Sequence, residues 1–415
     1  MERLLYPRHR LWMTVLVCGA WVFAANPAPF ENIQQLPSNG AAGWEYFQIN
    51  EKHYLASANF FTSSPGRQVS VKTRSTVFQI EHLSNDTMHL KKVQDVATNG
   101  AHGVEYFQYR EESYIAIPNY YGGDSIILRW SSKEEQFVEI QRIASDGGGS
   151  IESFLLPNGK LILGIAEFNK GIASLYVLKG VAPNEQFLAW QKVEAPGVGA
   201  LATVHVDNGR LLMLASCYVS QRFGWHTRSK VFYFDGNAFK AHHDIKTVGA
   251  HDVETISIDG RHFAFFSNDK DSESTFQNSE LFEWVAGKSL SKGRFVSRQQ
   301  VFSNGAHAAE FFLDSHSGRY FLAVANLGDR KLNKYRTDSR IYAFDPRHAK
   351  LKLIQKIPTL GATDIEGFSI SGSTYFIVAN EQDDDLGGDI PSTLWRLAQA
   401  ASIISPGFDE PVVEL

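Results

Sequence analysis

One phrase recurs seven times along this chain of 415 residues, and it restricts the fold more than any other feature. The phrase is Gly-Ala-x-x-φ-Glu-x-φ, where φ is apolar. It begins at Gly40, Gly100, Gly147, Gly199, Gly249, Gly305 and Gly361. The steps between copies are 60, 47, 52, 50, 56 and 56 residues. A unit of that size cannot cover its own apolar face, so such units stack into solenoids or close into propellers.

Each copy has the same internal order. The phrase runs into a first strand, as at Trp44 to Ile49, and a tight polar turn follows, such as Asp259-Gly260-Arg261. A second apolar strand then ends, in five copies, at Asn59, Asn119, Asn268, Asn326 or Asn380. After a loop of variable length comes Ser-x-φ-aromatic, as in Ser75-Thr76-Val77-Phe78. A fourth segment carries an apolar residue before Gln, as in Val93-Gln94, Ile140-Gln141 and Ile354-Gln355. Short runs rich in β-branched and aromatic residues, bounded by turn residues, are strand signals, and no long window shows a 3.6-residue period. The sequence therefore predicts an all-β, seven-bladed β-propeller over residues 30–397.

The seventh copy stops after its third strand, Thr393 to Leu397. Its missing fourth strand stands at the other end of the chain, where Phe30-Glu31-Asn32-Ile33-Gln34 matches Phe137-Val138-Glu139-Ile140-Gln141. The N-terminal strand is expected to complete the last blade and remove the open edges that template aggregation.

The phrase, the φ-Ala-φ-Ala-Asn strand end and the Ser-x-φ-Tyr-x-Trp strand, with Trp130, Trp284 and Trp395, resemble the EAR repeat. This repeat is also called EPTP or epilepsy-associated repeat, as in the leucine-rich glioma-inactivated proteins. The resemblance covers nearly all of residues 30–397. It implies a seven-bladed propeller with an extracellular ligand or adhesion role and no catalysis. These 415 residues contain no leucine-rich or laminin-type segment, so the relatives' particular partners are not implied.

Residues 1–24 read as a secretory signal peptide. Arg3, Arg8 and Arg10 precede an uncharged stretch, Leu11 to Ala25, that is short for a bilayer span. An uncleaved anchor is the alternative. Cleavage would shift the formal charge from −5 to about −7 and leave Cys217 as the one cysteine, expected to be buried and inert. A mildly acidic chain lacks the basic footprint of a nucleic-acid binder. Residues 398–415 read as a loose tail, and Asn85-Asp86-Thr87 is a glycosylation sequon in a eukaryotic host.

Glu45, Glu105, Glu152, Glu254, Glu310 and Glu366 occupy one repeat position, with Val204 there in copy four. The expectation is structural: each carboxylate accepts backbone N–H groups of the turn or of the next blade. A metal-binding or partner-facing ring and a catalytic pair are the alternatives, although a carboxylate pair alone specifies no reaction. His102, His251 and His307 each stand three residues before one of these acids. Three histidines can make a zinc site, but they belong to copies two, five and six. They are expected to be satisfied turn histidines rather than one compact cluster. Asp252 and Asp364, with the acidic loop of Asp383, Asp384, Asp385 and Asp389, could hold calcium through oxygen ligands, although no Asp-x-Asp-x-Asp-Gly loop is present. No phosphate loop, nucleophile elbow or His-Glu-x-x-His helix occurs.

In a propeller the loops between second and third strands lie on the face of the Gly-Ala turns. Here they are long and varied, which is where rigid scaffolds usually carry binding. The candidate partner-binding residues are Phe60 and Phe61 in copy one, Arg222, Phe223, Trp225 and Arg228 in copy four, and Lys334, Tyr335 and Arg336 in copy six. Acidic loops in copies five and seven are expected to make that face electrically lopsided. The reading is a secreted, non-enzymatic recognition or adhesion module for an extracellular or cell-surface protein, with no cofactor required. A carbohydrate-binding propeller that stacks sugars on its aromatic loops is one alternative. A hydrolase or lyase using the channel-mouth carboxylates is the other.

Overall fold

The computed structural model describes residues 30–63, 68–84, 87–222, 224–289 and 292–398. The signal segment, the tail, Asn85 and Phe223 lie outside the described residues. Seven antiparallel four-stranded sheets form the blades. The first blade is Ala41–Ile49, Lys52–Asn59, Lys72–Ser84 and Thr87–Asn99. The last is Ala362–Ile370, Ser373–Asn380 and Ser392–Leu397, completed by Phe30–Leu36. Phe30 pairs with Leu397 and Leu36 with Ser392, so the N-terminal strand closes the ring. Among the described residues no helix is long and apolar enough to cross a membrane.

The core is distributed. Seven apolar clusters each lie between two neighbouring blades, as in Phe47, Tyr54, Ile115, Leu128 and Phe137 between blades one and two. The second strands are covered on both faces, so Leu161–Glu167 is buried at every residue. This is why those strands read as continuous apolar runs rather than alternating ones.

The apolar-before-Gln motif of the fourth strands has a geometric cause. In each blade the pairing of third and fourth strands shifts at that point, for example between Val77 and Phe78, leaving Val93 as the extra residue of a β-bulge. The following Gln94 then points along the sheet edge to the next blade. Its amide nitrogen donates to the Phe137 carbonyl at 2.7 Å, and its oxygen accepts the Phe137 N–H at 2.9 Å. Gln141 holds Phe187, Gln191 holds Phe239 and Gln299 holds Leu351 in the same way. Gln355 holds Phe30 and Gln34 holds Met88, which carries this outer belt across the closure. In blade four His243 stands in the place of Gln, and its Nε2 accepts the Phe295 N–H at 3.3 Å.

Blade four also corrects the sequence register. Gly197, not Gly199, has the left-handed backbone (φ +68°) that opens the repeat. Its carbonyl accepts the Tyr218 N–H, as the carbonyls of Gly40 and Gly100 accept those of Phe60 and Tyr120. A Cβ on Gly197 would lie 1.9 Å from the Val219 carbonyl oxygen. The stretch Gly197-Val198-Gly199-Ala200 offers two glycines, and only the second precedes an alanine, which misaligned the phrase. The residue at the acid position is therefore Ala202, opposite Leu214, and Val204 lies two residues further along the strand.

Candidate functional site

The start of every inner strand meets the axis on the face of the Gly-Ala turns. There a cavity of about 80 Å³ is lined by residues from all seven blades. The repeat acids point across blade boundaries. Glu105 accepts the Ser153 N–H at 3.1 Å and its hydroxyl at 2.7 Å, Glu152 accepts the Thr203 hydroxyl at 3.2 Å, and Glu366 accepts the Tyr46 N–H at 3.2 Å. Glu45 is buried, and Glu254 and Glu310 line the cavity. Asp252 accepts the Ala309 N–H and Asp364 the Trp44 N–H, each at 3.0 Å. These two aspartates face different neighbours. Asp383 is engaged by Arg336 at 2.8 Å and by the backbone of Asp385 and Leu386.

The histidines behave otherwise than their spacing suggested. His102, His251 and His307 are two residues past the opening glycines of blades two, five and six, and all three reach the axis. One ring nitrogen of each lies within 4.8 Å of the other two. Chain separation misled here because ring closure brings every repeat's equivalent position to one axis. The other four blades carry Ala42, Gly149, Gly199 and Thr363 at this level, so three imidazoles fit. Each Nδ1 sits at the carbonyl of the equivalent residue in the next blade: His102 at Gly149 (2.8 Å), His251 at His307 (3.0 Å) and His307 at Thr363 (2.9 Å). A carbonyl only accepts, so each Nδ1 carries the proton and each Nε2 a lone pair. Burial holds all three below the ordinary imidazole range, His251 and His307 well below it; Glu381 opposes the shift at His102, and Arg330 adds to it at each.

The residue past each second strand whose N–H donates to the carbonyl of the opening glycine forms a ring around this mouth. In blades one to four it is Phe60, Tyr120, Phe168 and Tyr218, and in blades five to seven Asp269, Leu327 and Glu381. The four aromatics make a continuous arc, with Phe60–Tyr120, Tyr120–Phe168 and Phe168–Tyr218 centroids each 6.1 Å apart. Phe60 and Tyr120 also flank His102, and Tyr218 flanks His251. Opposite the arc, Arg330 donates to Glu381 at 2.8 Å, and Tyr218 donates to the buried Asp269 at 2.7 Å. The mouth is thus half aromatic and half ionic.

The candidate partner-binding residues divide. Arg222, Arg228 and Lys334 are exposed, while Phe60 and Trp225 are half-buried. Trp225 packs on Tyr218 and has the Lys270 ammonium 4.9 Å from its ring centroid. Phe61 and Tyr335 are corrected to scaffold residues, being 9% and 6% exposed. Arg336 pairs with Asp383 and Asp385, each at 2.8 Å. Together with Arg330–Glu381, this joins the basic loop of blade six to the acidic loop of blade seven. The expected lopsided field is therefore largely cancelled where those two blades meet.

Sequence reasoning missed the outermost apolar residues of this face. Val69, Tyr121, Phe276, Leu332 and Leu386 are 44–61% exposed and all lie in or beside second-to-third-strand loops. Loop position and residue type could have found them. A groove of about 680 Å³ opens on the same face between blades one and two, where Lys72, Arg74 and Arg142 line it.

Residues 30–80, 90–131 and 238–285 match the EPTP domain family. The human thrombospondin-type laminin G domain and EAR repeat-containing protein is 30% identical over 130 residues, 30% of this chain and 18% of that protein. Its mouse counterpart is 32% identical over 156 residues, 37% of this chain and 20% of that protein. The matches thus span about a fifth of those longer relatives. Two solved structures, provisionally assigned as 6-phosphogluconolactonases from Bacteroides uniformis and Bacteroides fragilis, share the fold at 12% and 15% identity. Their TM-scores are 0.55 and 0.53, over 78% of this chain in both cases and 87% and 85% of theirs.

Proposed function

We propose, on the premise that the chain belongs to the EPTP (EAR-repeat) family, that it is a secreted, non-enzymatic recognition module. It engages an extracellular or cell-surface protein through the long-loop face of the propeller. The observation that carries this reading is the placement of exposed apolar side chains. Val69, Tyr121, Phe276, Leu332 and Leu386 stand on that face around an aromatic arc at the channel mouth. Aromatic anchors on a rigid frame, with arginine and lysine at the rim, are the usual makings of an interface. Glu105, Glu152 and Glu366, which a hydrolase would need as acid or base, accept bonds from the adjoining blade. That supports a structural use for them.

Affinity capture of host surface and extracellular proteins by residues 25–415 tests the reading, with Tyr121→Ala/Arg222→Ala/Trp225→Ala beside the parent. A named partner whose affinity for the purified variant falls by tenfold or more, with the variant's melting unchanged, is the expected result. A folded parent that binds glycans in an array but no protein would replace the reading with the carbohydrate-binding one. Turnover of a polysaccharide, lost in Glu105→Gln, would replace it with an enzymatic one.

A further inference from the structure

We propose that His102, His251 and His307 form a three-histidine site for a divalent first-row transition metal of the zinc class, set on the propeller axis at the channel mouth. It is the one group of three or more His, Cys, Asp or Glu side chains converging to this degree among the described residues. The argument rests on how the rings are fixed. Every Nδ1 is held by a carbonyl of the next blade, which sets the tautomer and leaves Nε2 as an acceptor. A backbone carbonyl on the far nitrogen is how metal-bound histidines are commonly oriented. His307 is 2% exposed, and its Nε2 has no hydrogen-bond partner. A buried acceptor left without a donor is a costly arrangement, and a cation resolves it.

The geometry suits the ion. Two nitrogens bound at 2.0–2.1 Å lie at most ~4.2 Å apart. Ligand atoms now within 4.8 Å therefore close onto one metal by a shift of under ~1 Å. The His102 ring centroid lies 5.5 and 5.7 Å from those of His251 and His307, whereas His251 and His307 stack at 3.5 Å, and this pair must part for both to bind one ion. Nitrogen ligands without carboxylate or carbonyl oxygens favour zinc, copper or nickel over calcium. The nearby Arg330 charge would oppose a cation, but it is paired with Glu381 at 2.8 Å. Three protein ligands leave a coordination position for water or an outside donor. Because the ligands come from blades two, five and six, the ion would tie together strands far apart in the chain.

The test uses untagged protein freed of metal by chelation, titrated calorimetrically with Zn(II) and optically with Co(II). The expected result is one ion per chain, tetrahedral Co(II) absorption, and a melting temperature raised by Zn(II). His102→Ala should weaken binding by roughly 100-fold or more, and His89→Ala should leave it intact. His89 tests the separate His82–His89 stack, whose centroids are 3.8 Å apart. His102→Gln serves if the alanine variant does not fold. Folded wild-type protein that takes up no Zn(II) or Co(II), or uptake undiminished in a folded His102 variant, overturns the proposal.

Discussion

His243 is the one point where the outer belt of side-chain clamps departs from glutamine. Its Nε2 accepts the Phe295 N–H, but an imidazole cannot also reach back with a second donor as Gln191 does to Phe239. Burial, and after it the neighbouring His242, push His243 down to about 4. The sign follows directly. An unfolded histidine titrates near ~6.5, so between about 4 and ~6.5 the unfolded chain binds more protons than the folded one. Stability is lost as pH falls through that window and is level above it. His243→Gln should complete the clamp, add about 1 kcal/mol and remove this part of the acid sensitivity. Denaturant unfolding at pH 7 and pH 5 checks both; equal sensitivity in the two proteins would show that His243 is not its source. The Gln94-type clamps were legible as a motif, but their purpose was not. A bulge that aims a side chain at another blade leaves only an apolar residue before Gln in the sequence.

At the scale of the element, the closing strand is held by pairing with Ser392–Leu397, by the Gln355 and Gln34 clamps, and by the Phe30 side chain. That ring packs among Phe312, Phe321 and Phe376 at centroid distances of 5.9, 5.5 and 4.9 Å. Phe30→Ala should cost about 3–5 kcal/mol, the range for emptying a buried aromatic site, and chemical denaturation measures it. Deletion of Phe30 to Leu36 should expose the edge of Ser392–Leu397 and give aggregates in size-exclusion chromatography. A truncated protein that stays monomeric and melts with the parent would sink the closure argument. This strand was readable because Phe30 to Gln34 repeats a motif found in other copies. The blade-four register was not, since Gly197 and Gly199 differ in backbone conformation, which residue identity does not display.

For the whole molecule, each blade completes its neighbours' apolar layers, and all seven interfaces carry a buried cluster. A closed ring also lacks the terminal capping repeats of an open array. Equilibrium unfolding of residues 25–415 should therefore be one transition, with fluorescence and far-ultraviolet circular dichroism coincident. Two separated transitions would reveal a weak interface. The same closure explains which parts of the site were legible. Phe60, Arg222 and Trp225 could be placed on the long-loop face from loop position alone. The meeting of His102, His251 and His307, and of Arg336 with Asp383, depends on which blades face each other across or around the ring. Neither spacing nor composition records that.

Closure also has a consequence in time. Phe30–Leu36 emerges from the ribosome before the propeller it completes, and its partner strand Ser392–Leu397 only after all the other strands. At ordinary rates of synthesis that interval is on the order of tens of seconds. Throughout it a strand that will bury Phe30 and Leu36 waits without its mate while six blades are made behind it. Of all the propeller's strands, the first one made therefore stays unpaired the longest.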